Sequence, residues 1–164
     1  MEASLMDDVE DNWDDGITWA DPQIRVDYEA ALGRLILTHN EVDLSVTRLL
    51  TRCLNRLGDP PAMKRLATGT LSERLQNLSL LKSLPIRLEL SAVDIDRLIR
   101  LNRDRNIVAH GHFEQNPFDG EYMLVDAKQR QHDFPTDRLN RITDELRRVA
   151  SHLSALIAFY DPPE

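Results

Sequence analysis

A single cysteine, Cys53, in 164 residues excludes an internal disulfide and any metal site built on several thiolates. It sits among leucines at helical spacing, the setting of a buried thiol rather than a nucleophile, and redox chemistry has no support. The sequence has no run of about 18 apolar residues and no basic stretch followed by an apolar one near its start. Neither a membrane span nor a secretory signal is therefore expected, and the chain reads as cytosolic. It also lacks a Gly-rich phosphate loop opening a helix and a G-x-S-x-G nucleophile elbow. Basic residues are missing from positions 1–22, which carry eight carboxylates: Glu2, Asp7, Asp8, Glu10, Asp11, Asp14, Asp15 and Asp21.

That one-sided leader accounts for the whole net charge of −8. The remainder, residues 23–164, balances its acids against 20 Lys and Arg and is long enough for one domain with a proper core. A neutral body of this kind can still present a basic cleft. The leader has two readings. One is a flexible solubilising tail; the other is a polyanion anchored by Trp13, Ile17 and Trp19 that competes with an anionic substrate for such a cleft.

Apolar periodicity is helical almost throughout. Tyr28, Leu32, Leu35, Val42, Val46, Leu49 and Cys53 lay a stripe along one helix between Ile24 and Leu57, ended by Gly58-Asp59-Pro60-Pro61. Thr70 and Glu73 have capping-box spacing and open a second helix through Leu71, Leu75, Leu78 and Leu81. Ser91 is the expected cap of a third, running through Ile95, Leu98 and Ile99 to His110, with Gly111 placed for a left-handed C-terminal residue. Glu121–Val125 and a return near Gln131–Phe134 predict a hairpin, after a turn at Phe118-Asp119-Gly120. Leu139, Ile142, Leu146, Val149, Leu153, Leu156 and Tyr160 mark the last helix, stopped by Pro162-Pro163. The expected fold is all-α: an antiparallel bundle of four to five helices, the first and last packed together, with a short β-hairpin between the third helix and the last.

The third helix carries polar residues on its apolar side. At about 100° per residue, Asn102 follows Ile95 by seven, Arg105 follows Leu101 by four, Asn106 follows Ile99 by seven, and His110 lies one turn further. On the first helix His39 and Asp43 interrupt the stripe in the same way. Burying such groups costs several kcal/mol unless they find partners, so a shared polar network inside the bundle is one explanation. Asp43 facing Arg105 or a neighbouring donor is its expected form.

The run Arg105-Asn106-Ile107-Val108-Ala109-His110 resembles the R-N-x-x-x-H signature of the HEPN superfamily, small helical domains that include RNA-cutting toxins and defence proteins. Gly111 and a nearby aromatic, the run Leu32-Gly33-Arg34-Leu35, and Asn40 with Asp43 are similar to bacterial HEPN-type proteins, in which glutamate is commoner at position 43. The resemblance spans roughly residues 24–160 and implies a two-fold dimer whose motif helices line one cleft. It implies Arg105 and His110 as catalytic residues, with Asn106, Asn102, His112, Asp43 and His39 supporting them or contacting substrate. The substrate class it implies is RNA, with an antitoxin or regulatory protein as a further partner.

The residue types suit such chemistry. Cleavage of RNA by its own 2′-hydroxyl needs a group that moves a proton and a cation that steadies the charge on phosphate, and calls for no metal or organic cofactor. Histidine and arginine supply these. Arg105 and His110 diverge by about 140° on one straight helix, so two copies across a dyad serve one phosphate better than one copy does. The alternative is a non-catalytic helical dimer that keeps the motif as a nucleotide- or partner-binding site. His110 and His112 form an H-x-H pair without a carboxylate at a familiar ligand spacing, which disfavours a metal. His132 and His152 read as hairpin and helix-surface residues.

Overall fold

The computed structural model describes residues 18–58, 60–85 and 88–160. Most of the acidic leader, with Trp13 and Ile17, lies outside them, as do Pro162 and Pro163.

Helix α1, Pro22–Arg56, begins where Asp21 accepts a 2.8 Å hydrogen bond from the Gln23 amide and Pro22 fills the first turn, where no amide hydrogen is needed. Its buried stripe includes Tyr28, Leu35, Val42, Val46, Leu49 and Cys53, as the spacing predicts. A 3-10 segment, Pro61–Ala67, follows where only a break was legible. Helix α2, Leu71–Ser83, opens on the expected capping box: the Glu73 amide donates to Thr70 Oγ1 (3.3 Å) and the Thr70 amide to Glu73 Oε2 (2.6 Å).

Two local expectations are corrected at helix α3, Ile95–His110. Its cap is Asp94, which accepts from the Arg97 amide at 3.0 Å; Ser91 lies inside a one-turn 3-10 element, Leu90–Ala92. Gly111 is extended (φ −84°, ψ 165°), not left-handed. Glycine is needed there for closeness instead. A Cβ at Gly111 would collide with the Leu124 side chain and come within 2.9 Å of the Ile107 carbonyl oxygen.

The expected hairpin is a three-stranded antiparallel sheet: β1 His112–Gln115, β2 Tyr122–Val125 and β3 Gln131–His132, in the order β1-β2-β3. Strand β1 pairs from His112 opposite Val125 to Gln115 opposite Tyr122. Its four residues hold one large apolar side chain, Phe113, too little for an alternation to stand out in sequence. Tyr28 fastens the sheet to α1, stacked on Tyr122 (4.0 Å between centroids) and edge-on to Phe113 (6.0 Å). The turn at Phe118-Asp119-Gly120 forms as expected, with Gly120 at φ +77°, and Trp19, near the end of the leader, stacks on Phe118.

Helix α4, Thr136–Tyr160, packs along α1, as expected, but the bundle is not simply antiparallel. Arg97 meets Glu145 and Arg138 meets Asp104, so α3 and α4 run in opposite directions. His39 with Asn102, and Tyr28 with Phe113 just beyond α3, set α1 opposite to α3 as well. Helices α1 and α4 therefore point the same way. The cause is the segment after α1, which carries the chain back until Arg74 of α2 lies beside Asp43 and Thr47 in the middle of α1. The core lies between these helices and under the sheet, with Leu35, Leu49, Leu75, Leu124, Phe134 and Leu146 almost wholly buried. No helix among the described residues is long and apolar enough to cross a membrane.

Candidate functional site

Asn102, Asn106 and His110 recur every four residues, which stacks them along one edge of α3. That edge forms a wall of an open groove of about 560 Å³, with Ser72 and Gln76 of α2 beside it. The opposite wall is the turn between β2 and β3, carrying Asp126, Lys128 and Arg130, with His132 of β3 beside it. Asn102 is buried, Asn106 half-buried and His110 exposed, so the edge grades from core to solvent along the groove.

The turn is rigidly built. Asp126 Oδ1 accepts from the amides of Lys128 (2.8 Å) and Arg130 (3.0 Å), and Gln129 takes the left-handed conformation that closes it. Asp126 Oδ2 accepts from Arg130 Nε at 2.8 Å and lies 3.0 Å from His132 Nε2. These bonds, that with His132 foremost, hold the Asp126 carboxyl well below the ordinary carboxylate range. Around the groove, Arg103, Lys128 and Arg130 stand against one carboxylate, which leaves the groove net positive although the whole chain is acidic.

Arg105 does not line this groove. It turns toward α1, where its charge acts on His39, while its Nη1 donates to Asn106 Oδ1 at 3.2 Å. That bond uses the Asn106 carbonyl oxygen, and its amide NH₂ has no hydrogen bond among the described residues. Arg105 Nε is buried without a hydrogen-bond partner among the described residues.

Behind the edge, His39 Nε2 donates to Asn102 Oδ1 (3.1 Å) and Asn102 Nδ2 donates to Ser72 Oγ (2.9 Å), a relay from α1 through α3 to α2. His39 is thereby fixed as the Nε2–H tautomer, with Nδ1 buried and unpartnered among the described residues. Burial, and then the Arg105 charge, hold His39 below the ordinary imidazole value of 6.5, against the opposing effects of Asn102 and Asp43. Below that value the unfolded chain takes up a proton that the folded chain resists. Stability is therefore expected to be level above about pH 6.5 and to fall as the pH drops below it. His39→Gln, which can retain a donor to Asn102, should flatten this acid limb. Urea midpoints at pH 8, 6.5 and 5 measure it, and an unchanged limb in the variant would remove His39 as its cause.

Asp43 departs from expectation. It forms an ion pair of 2.5 Å with Arg74 of α2, and Arg74 also donates to Thr47 Oγ1. A charge across the helix interface was expected to meet it; the partner comes from α2, not α3. Arg74 was legible as a candidate, three residues after Leu71 and four before Leu78 and thus on the apolar side of α2. His112 is exposed on β1 and does not line the groove; Phe113 beside it is half-buried. His132 is a hairpin residue as expected, but its place in the groove with Asp126, Lys128 and Arg130 was not foreseen. Asp126 and His132 meet only because a five-residue turn folds one back on the other. Among the described residues, no group of three or more His, Cys, Asp and Glu is placed to hold a metal ion.

No family model, curated protein or solved structure matches the chain significantly.

Proposed function

We propose that the protein is a metal-independent endoribonuclease of toxin or defence type, acting as a homodimer in which Arg105 of one copy completes the groove holding His110 of the other. The observation that carries this reading is the groove itself: His110 stands exposed at one end, two asparagine amides line the wall behind it, and three cations outnumber one carboxylate around it. In the reaction, the 2′-oxygen of RNA bonds to the adjacent phosphorus as the bond from phosphorus to the 5′-oxygen breaks. His110 accepts the 2′-hydroxyl proton, and the Asn106 amide with the basic rim steadies the charge gathering on the phosphate oxygens. Arg105 does not line the groove of its own chain, which is the reason for reading the site as shared.

The relay of His39, Asn102 and Ser72 favours a second reading, in which the motif mainly ties three helices together and the groove only binds nucleotides or a regulatory partner such as an antitoxin. Incubating the purified full chain with mixed RNA in excess chelator separates the two. The enzyme reading expects cleavage with 2′,3′-cyclic phosphate ends, and intact RNA throughout would leave the binding reading.

A further inference from the structure

Cleavage by a 2′-hydroxyl requires two proton transfers, and His110 accounts for one. The departing 5′-oxygen also needs a proton, because an alkoxide is a poor leaving group. Besides His110, His132 is the imidazole that lines the groove, and it is held from behind by a carboxylate. We infer that His132, positioned by Asp126, is the second proton-transfer group and protonates the 5′-oxygen as it leaves; this rests on the ribonuclease reading above.

The geometry gives each ring nitrogen a task. Nε2 faces Asp126 Oδ2 at 3.0 Å, which fixes the ring. Nδ1 has no hydrogen bond among the described residues and is the nitrogen left for substrate. The imidazolium gives its Nδ1 proton to the 5′-oxygen and becomes the neutral Nε2–H tautomer, which Asp126 still binds. The 2′-hydroxyl proton passes to His110, so protons balance across the step. Arg130 shares Asp126 Oδ2 and keeps that carboxylate charged, and Lys128 stands on the same turn. Arg103 and His110 face His132 from α3, and from α4 Arg138 caps the Phe134 ring next to it. Within this cationic surrounding Asp126 is the carboxylate that holds the His132 ring, which gives it its place in the mechanism.

His132→Gln keeps a donor for Asp126 and removes the acid. On RNA it is expected to lower kcat by roughly 10²–10⁴-fold with KM little changed and to abolish the high-pH limb of the kcat profile. An oligonucleotide with sulfur in place of the bridging 5′-oxygen supplies a leaving group that needs no proton. His132→Gln should cut it nearly as fast as wild type, whereas His110→Ala should remain impaired on both substrates. Asp126→Asn should show a smaller loss of the same pattern. Equal losses on the two substrates would make His132 merely structural, and a wild-type rate and pH profile on RNA would remove it from the reaction. Either result overturns the inference while leaving the ribonuclease reading in place, whereas a wild-type protein that cuts neither substrate overturns both.

Discussion

His110→Ala is expected to lower RNA cleavage by roughly 10²–10⁴-fold while leaving the fold intact, because the side chain ends α3 in solvent and supports no core contact. Circular dichroism and urea midpoints close to wild type would accompany the loss. Arg105→Ala should also abolish cleavage, although Arg105 does not line the groove of its own chain. The two inactive variants provide a sharper test when mixed. A heterodimer of them contains one groove with His110 from one copy and Arg105 from the other, so activity should return to a fraction of the wild-type level. His110→Ala mixed with His132→Gln should recover nothing, since both histidines belong to one groove and every groove in that pair lacks one of them. If the Arg105 and His110 variants fail to complement in a dimer shown to exchange subunits, the shared site is wrong. If His110→Ala cuts at the wild-type rate, the assignment of the reaction falls with it.

Asp43→Ala is expected to act on stability, not chemistry. Its carboxylate pairs with Arg74, a residue only 9% exposed, and removing it leaves that cation with Thr47 Oγ1 and the carbonyl oxygens of Asp43 and Thr70. An incompletely satisfied buried cation costs about 1–3 kcal/mol, towards the lower end here because Asp43 is itself partly exposed to solvent. The urea midpoint should fall accordingly, and cleavage per folded molecule should stay close to wild type. Arg74→Met, which removes the cation as well, should recover part of the loss in the double variant. Unchanged stability combined with lost cleavage would instead tie Asp43 to the motif helix.

The sequence by itself determined where the helices lie and which edge of each faces inward, since apolar spacing and capping residues act over one or two turns. Thr70 with Glu73 opened α2, and four-residue steps put Asn102, Asn106 and His110 on one edge of α3. The same arithmetic turned Arg105 away from His110. What lies opposite each edge is a long-range property, and there the tertiary structure decided. The return of the chain along α1 before α2 gave Asp43 to Arg74, and the parallel sense of α1 and α4 follows from the same return. Strand β1 exists because β2 and Tyr28 offer it pairing and packing that its own four residues do not advertise. The close approach of Leu124 explains Gly111 better than any helix-ending rule. His132 came to the groove in the same manner: its position in the chain says only that it follows a turn, and the pairing of β2 with β3 and the bonds of Asp126 aim that turn at α3. Short-range periodicity reads the faces of the elements, whereas the choice of partners across space depends on connections and packing that no local pattern encodes.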